Sequence, residues 1–235
     1  MDTKAEALRH RSICEIRFSL PNGIGTGYGN GVFITPSHIL TSWHVVSGAK
    51  KGSLNFENHV GDKAMAKVGG LKLSKRECDL CIIEMDKPIG DNIYTRPINR
   101  HLLSGSNTKK SDNIGTLFAK NIRGNRTVTQ NVKSMNYLRS IFVGLKVKGD
   151  NDFGVDSSKL SIYGIEDEVL RPGHSGSPTI DKNGHIISLT SCMVPRDDAD
   201  ISDIFKGPSS EQIADFVDSF LFSPESVHNP EEPRL

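Results

Sequence analysis

Between residues 13 and 192 the apolar residues come in short runs bounded by glycine, proline and other turn residues, the mark of a chain built from short strands. Gly31–Thr35 and His38–Ser42 flank Pro36-Ser37, a hairpin turn. Cys78–Met85 is an apolar run bounded by charge and suits a buried strand. Further strands are expected at Ile114–Ala119, Tyr137–Val147 and Lys159–Ile165. Thr179-Ile180 and His185–Ser191 are separated by Asp181-Lys182-Asn183-Gly184, where glycine tolerates the positive φ of a tight hairpin. One segment breaks the pattern. Ile213, Phe216, Val217, Phe220 and Leu221 recur at three- and four-residue steps within 211–222, one apolar stripe of a helix that Ser209 or Ser210 can cap. The 22 glycines among 235 residues exceed the ordinary share of about 7% and fit many turns. The length allows one large all-β domain or two small barrels sharing a cleft.

A formal net charge of +1 excludes a strong overall field for nucleic acid or membrane. Within 109–149, however, nine basic residues face one acid, and within 197–232 ten acids face Lys206 alone. Two solvated, mutually neutralising faces are the plainer reading; a basic surface for an acidic partner such as nucleic acid is the weaker one. No apolar stretch reaches the roughly 18–20 residues of a membrane span, and the polar start, Met1–Arg11, has no secretory signal. Cys14, Cys78, Cys81 and Cys192 are too sparse for a disulfide framework, so an intracellular, cytoplasmic setting is expected. Cys78 and Cys81 lack two further ligands for zinc and read as inert buried thiols; no metal or cofactor is expected.

The chemistry-bearing residues lie in three strings. Ser175 sits in Arg171-Pro172-Gly173-His174-Ser175-Gly176-Ser177-Pro178. A serine attacks a carbonyl only when a base takes its proton and donors meet the developing oxyanion. Glycines at 173 and 176 permit the sharp turn that aims the N–H groups of Gly173 and Ser175 at that oxyanion. His44, in Leu40-Thr41-Ser42-Trp43-His44-Val45-Val46, follows a strand within an apolar frame and suits proton shuttling near neutral pH. The other seven histidines occupy turns, polar loops or chain ends, or point away from Ser175 as His174 does. Asp79 heads a buried run, where a carboxylate is costly unless paired, and is the candidate to orient the imidazole.

The order His44, Asp79, Ser175, with separations of 35 and 96 residues, resembles that of the chymotrypsin-like serine proteases. Thr41–Val46 resembles their histidine motif, Cys78–Ile83 their aspartate strand and Gly173–Pro178 their serine motif, and Asn183–Ile187 looks like the hairpin of bacterial and viral members. The resemblance implies an all-β fold of two six-stranded antiparallel β-barrels with a C-terminal α-helix. It divides the chain into an arm at 1–12, a first barrel at 13–100 carrying His44 and Asp79, a second at 101–208 carrying Ser175, a helix at 209–222 and a disordered acidic tail at 223–235. It implies a serine endopeptidase acting on protein or peptide substrates, with a regulatory partner as a further expectation. Counting along the family's motifs puts the substrate pocket at Val169, Leu170, Thr190 and Ser191. An uncharged pocket and a neutral P1 residue follow.

The chain departs from the family in two places. His174 stands where secreted digestive relatives carry aspartate, so their activation by a new N-terminus is not expected. Ser177 resembles glutamyl endopeptidases and some viral proteases, yet Ser188–Cys192 has no histidine to read an acidic or amide P1 side chain. Two other readings stay open: a catalytically silent or gated protease-fold binding module, and a viral polyprotein protease with a basic RNA-binding surface.

Overall fold

The structure is a computed structural model that describes residues 11–58, 60–89, 113–121, 126–134, 154–166, 170–194 and 203–222. The expected strand at 137–147, most of the N-terminal arm, the acidic tail, most of the basic stretch and Val169 lie outside these residues.

Six strands close the first barrel: β1 (Ile13–Ser19), β2 (Thr26–Thr35), β3 (His38–Thr41), β4 (Asn55–Glu57), β5 (Lys63–Lys75) and β6 (Leu80–Met85), in the order β1-β2-β3-β6-β5-β4. The β2–β3 hairpin turns at Pro36-Ser37 as the sequence predicts. Registers Phe33↔Ile39↔Ile83 and Val32↔Leu40↔Ile82 stack apolar side chains on alternate faces. Phe33, Ile39 and Ile83 fill the barrel with Ile16, Phe56 and Cys81. Val32, Leu40 and Ile82 face outward onto Ile186, Leu189 and the C-terminal helix. Burial on both faces explains why these strands read as continuous apolar runs rather than alternating ones.

The second sheet contains β7 (Asn113–Asn121), β8 (Arg126–Ser134), β9 (Ser161–Ile165), β10 (Pro178–Ile180), β11 (Ile186–Leu189), β12 (Cys192–Met193) and β13 (Ile204–Gly207). Its order, β11-β10-β7-β8-β9-β13-β12, has seven strands where six were expected. The two ends, β11 and β12, are separated in sequence only by Thr190-Ser191, so the sheet curls to bring them near each other, while β12 keeps β13 as its one strand partner and remains an edge among the described residues. The strand expected at His185–Ser191 is β11 and stops at Leu189, because the Thr190 N–H donates to the Ser177 carbonyl and its carbonyl accepts from Gly176. The result is a chymotrypsin-like pair of barrels, the first closed and the second barrel-like.

A five-residue helix, α1 (Trp43–Ser47), follows β3, and α2 (Ser210–Leu221) ends the described chain. The Ser209 hydroxyl accepts from the Gln212 N–H and the Gln212 amide oxygen accepts from the Ser209 N–H, a reciprocal cap. Ile213, Phe216 and Val217 bury against the outer face of the first barrel. At about 1.5–3 kcal/mol per buried apolar side chain, this stripe pins α2 across both sheets.

Candidate functional site

Asp79 stands at the centre of the site because its backbone has no ordinary home. It follows a 3-10 turn, Arg76–Cys78, and adopts φ 55° and ψ 43°, the one positive φ outside glycine among the described residues. Aspartate tolerates this left-handed conformation better than most residues, and non-glycine positions there concentrate at functional sites. Two backbone bonds hold the turn: the Asp79 N–H donates to the Arg76 carbonyl at 2.9 Å, and the Trp43 N–H donates to the Asp79 carbonyl at 3.2 Å. The Arg76 guanidinium lies 4.8 Å above the Trp43 ring. From behind, Gln212 of α2 reaches the Cys78 sulfur at 3.3 Å, so the terminal helix braces the same turn. Burial pushes the Cys78 thiol pKa up, which keeps that sulfur protonated and inert.

The Asp79 side chain is 0% exposed, yet three donors surround it. The His44 backbone N–H donates to Oδ1 at 2.8 Å, and His44 Nδ1 lies 2.7 Å from Oδ2. The Ser191 hydroxyl donates to Oδ2 as well. A buried carboxylate placed this way accepts a hydrogen bond from Nδ1–H and so favours the tautomer whose Nε2 carries the free lone pair. The His44 side chain is 20% exposed, so its outer edge meets the cleft.

The serine loop is fastened to β2, the hairpin partner of the strand that leads into α1. The Asn30 N–H donates to the Ser175 carbonyl at 2.7 Å, and its side-chain amide donates to the Gly173 carbonyl at 2.8 Å. Next to it, a Cβ on Gly29 would lie 2.5 Å from Val45 of α1 and 3.2 Å from the Ser175 carbonyl oxygen. The histidine helix and the serine loop therefore meet over Gly29. Gly176 has φ 78°, and a Cβ there would lie 2.1 Å from the Asn30 carbonyl oxygen, so the residue after Ser175 must be glycine. Gly173 has φ 97°. Its N–H and that of Ser175 donate to no group among the described residues, whereas the intervening His174 N–H is engaged by the Arg171 carbonyl.

Of the sequence-predicted site residues, all but Val169 fall among the described residues. His44 and Asp79 are hydrogen-bonded, and the carbonyls of Gly173 and Ser175 are held by Asn30 of β2. The expected pocket residues separate. Leu170 is fully buried in the second core with Leu117, Val132 and Phe205, and so does not face an open pocket. Ser191 directs its hydroxyl at Asp79 instead of a substrate. Thr190 is buried, with its carbonyl accepting from Ser42 and Gly176. Asn30 and Gly29 were not anticipated, although a buried asparagine between glycines inside an apolar strand is a sign of close backbone approach. Among the described residues no cluster of histidine, cysteine and carboxylate side chains could hold a metal ion. None of the described helices is long and apolar enough to cross a membrane.

No family model matches the chain. Over 181 residues it is 28% identical to the serine protease Do-like HtrA of Bacillus subtilis, which covers 74% of this chain but only 35% of that protein. It thus spans about a third of that curated relative. An HtrA-type protease, AlgW, solved with a tripeptide, superposes with a TM-score of 0.64 at 15% identity, covering 94% of this chain and 63% of the other. The Rv3671c protease from M. tuberculosis in its active form gives 0.57 at 14%, covering 92% and 83%. A scabies mite inactivated protease paralogue gives 0.61 at 13%, covering 91% and 93%. The chain resembles chymotrypsin-like serine proteases of the bacterial type.

Proposed function

We propose, from this chymotrypsin-like fold and its bacterial-type resemblance, that the chain is a serine endopeptidase in which Ser175 attacks the scissile carbonyl. His44 Nε2 takes the serine proton and returns it to the leaving amine; water, activated by the same nitrogen, then releases the acyl-enzyme. Asp79 holds the ring in the required tautomer and stabilises its cation. The N–H groups of Gly173 and Ser175 receive the oxyanion, each worth about 3–4 kcal/mol in the transition state. Because the inactivated mite paralogue shares the fold, the proposal rests on the site rather than on the fold. The observation that carries it is the buried Asp79 carboxylate, tied to both N–H groups of His44, together with a serine loop whose Gly173 and Ser175 N–H groups meet no acceptor among the described residues.

The proposal includes a peptide or protein substrate with a neutral P1 side chain. The four buried, free thiols suit a reducing, intracellular setting. The test is hydrolysis of a quenched peptide library. Asp79→Asn should lower kcat about 10⁴-fold with the fold retained, because the amide favours the wrong imidazole tautomer. Retention of wild-type kcat in Asp79→Asn would remove Asp79 from the mechanism.

A further inference from the structure

Lys206 is buried, 5% exposed, and the mechanism above does not use it. Its ammonium makes one hydrogen bond among the described residues, to the Ser157 hydroxyl at 3.3 Å. Among the described residues no carboxylate lies within ion-pair distance of it. Asp156, beside Ser157 in sequence, accepts from the Ser158 N–H and hydroxyl and pairs with Lys159. Its cross-strand partner Cys192 packs with Val155 and Leu160, an apolar cluster that offers a charge no compensation. A buried ammonium is costly unless an anion completes it, and the described residues supply none.

The position of Lys206 says where that anion comes from. Its carbonyl accepts from the Ser191 N–H, so it neighbours the residue that donates to Asp79. It pairs directly with Cys192 across β13 and β12, so both side chains lie on one face. β12 is an edge of the sheet and can take an added strand. A substrate laid antiparallel on that edge with P1 at Ser191 sets P2 opposite Cys192 and P3 opposite Met193. P2, Cys192 and Lys206 then form one cross-strand row. Cysteine is short enough for the four-carbon lysine stem to reach over it.

We propose that Lys206 selects an acidic side chain on the substrate, at P2 first and at the diagonal P4 second. This inference rests on the serine-protease reading for the location of the peptide, but the lysine can be scored without turnover. Peptides of one scaffold carrying Glu or Gln at P2, P3 or P4 are compared for kcat/KM with wild type and Lys206→Met. In parallel, their binding to Ser175→Ala and to Ser175→Ala/Lys206→Met is read by fluorescence anisotropy. Thermal melting of each variant, with Lys206→Gln as a second replacement, separates loss of folding from loss of recognition. The expected result is a Glu preference of about tenfold at P2, smaller at P4 and near unity at P3, which collapses in both lysine variants. Salt should weaken it. Equal handling of Glu and Gln at P2 and P4, or a preference that survives Lys206→Met, overturns the inference. Selective binding to Ser175→Ala without turnover by wild type would uphold Lys206 and overturn the protease reading.

Discussion

Replacing Gly29 with alanine puts a methyl carbon 2.5 Å from Val45 Cγ1, 2.9 Å from Val45 Cγ2 and 3.2 Å from the Ser175 carbonyl oxygen. Carbon atoms rest at about 3.5–4.0 Å, so α1 must retreat by roughly 1 Å or the serine loop must lift. Overpacking of this kind costs about 1–3 kcal/mol, or about 2–12 °C in Tm for a chain of this size. Displacing His44 relative to Ser175 by that distance should lower kcat/KM by about 10²-fold. Val45→Ala alone removes two buried methyl groups and should cost about 1.5–3 kcal/mol. Combined, the two changes compensate, because the new methyl enters the space the valine vacates. The double variant should be about 1–2 kcal/mol more stable than the sum of the singles and should regain part of the lost activity. Urea unfolding of all four proteins, with kcat/KM on one peptide, measures both. Additivity within about 0.5 kcal/mol, or a Gly29→Ala protein of wild-type stability, would refute the claim that the helix and the serine loop meet over this glycine.

Other expectations follow from single contacts. Ser191→Ala removes one of three donors to a fully buried carboxylate and should destabilise by about 1.5–3 kcal/mol, with a fall in kcat, by chemical denaturation and kinetics. Ser209→Ala breaks the reciprocal cap of α2 and should cost about 1 kcal/mol in the same denaturation assay, leaving KM unchanged. Burial first of all, and then Lys72 and Lys67 against the opposing Glu84, hold the His38 imidazole below its ordinary pKa; its ring packs 4.9 Å from Phe220 of α2. The unfolded imidazole takes up its proton near pH 6.5 and the folded one only below that, so the unfolded chain binds more protons in between. Stability should therefore fall as pH drops through and below about 6.5, and His38→Gln should flatten that slope in a series of melts; an unchanged slope would remove His38 as its source.

Much of the site was legible because its demands are local. A serine among glycines, a histidine just past a strand and an acid heading an apolar run each carry their reason in neighbouring residues. The hairpins at Pro36-Ser37 and Asn183-Gly184 and the helix with its Ser209 cap were legible for the same cause. Less visible was whatever depends on distant pairing. β5 runs 13 residues through Lys63–Lys75 with register shifts around Gly69-Gly70, and its charged outer face hides the strand period. α1 has five residues, too few for a helical stripe to register. Asn30 matters because residues 173 and 175 come back to it, and Ser191 because it meets Asp79 from 112 positions away. Counting along a motif placed Leu170 in a pocket; the curl of the second sheet turns it into the core.

The central claim is that Ser175 is an activated nucleophile. Purified wild type, Ser175→Ala and His44→Ala should be treated with a fluorophosphonate probe, each shown folded by circular dichroism. Labelling of wild type alone, mapped to Ser175 by peptide mass, is the predicted result. Absence of labelling in the folded wild type, or equal labelling of His44→Ala, would contradict it.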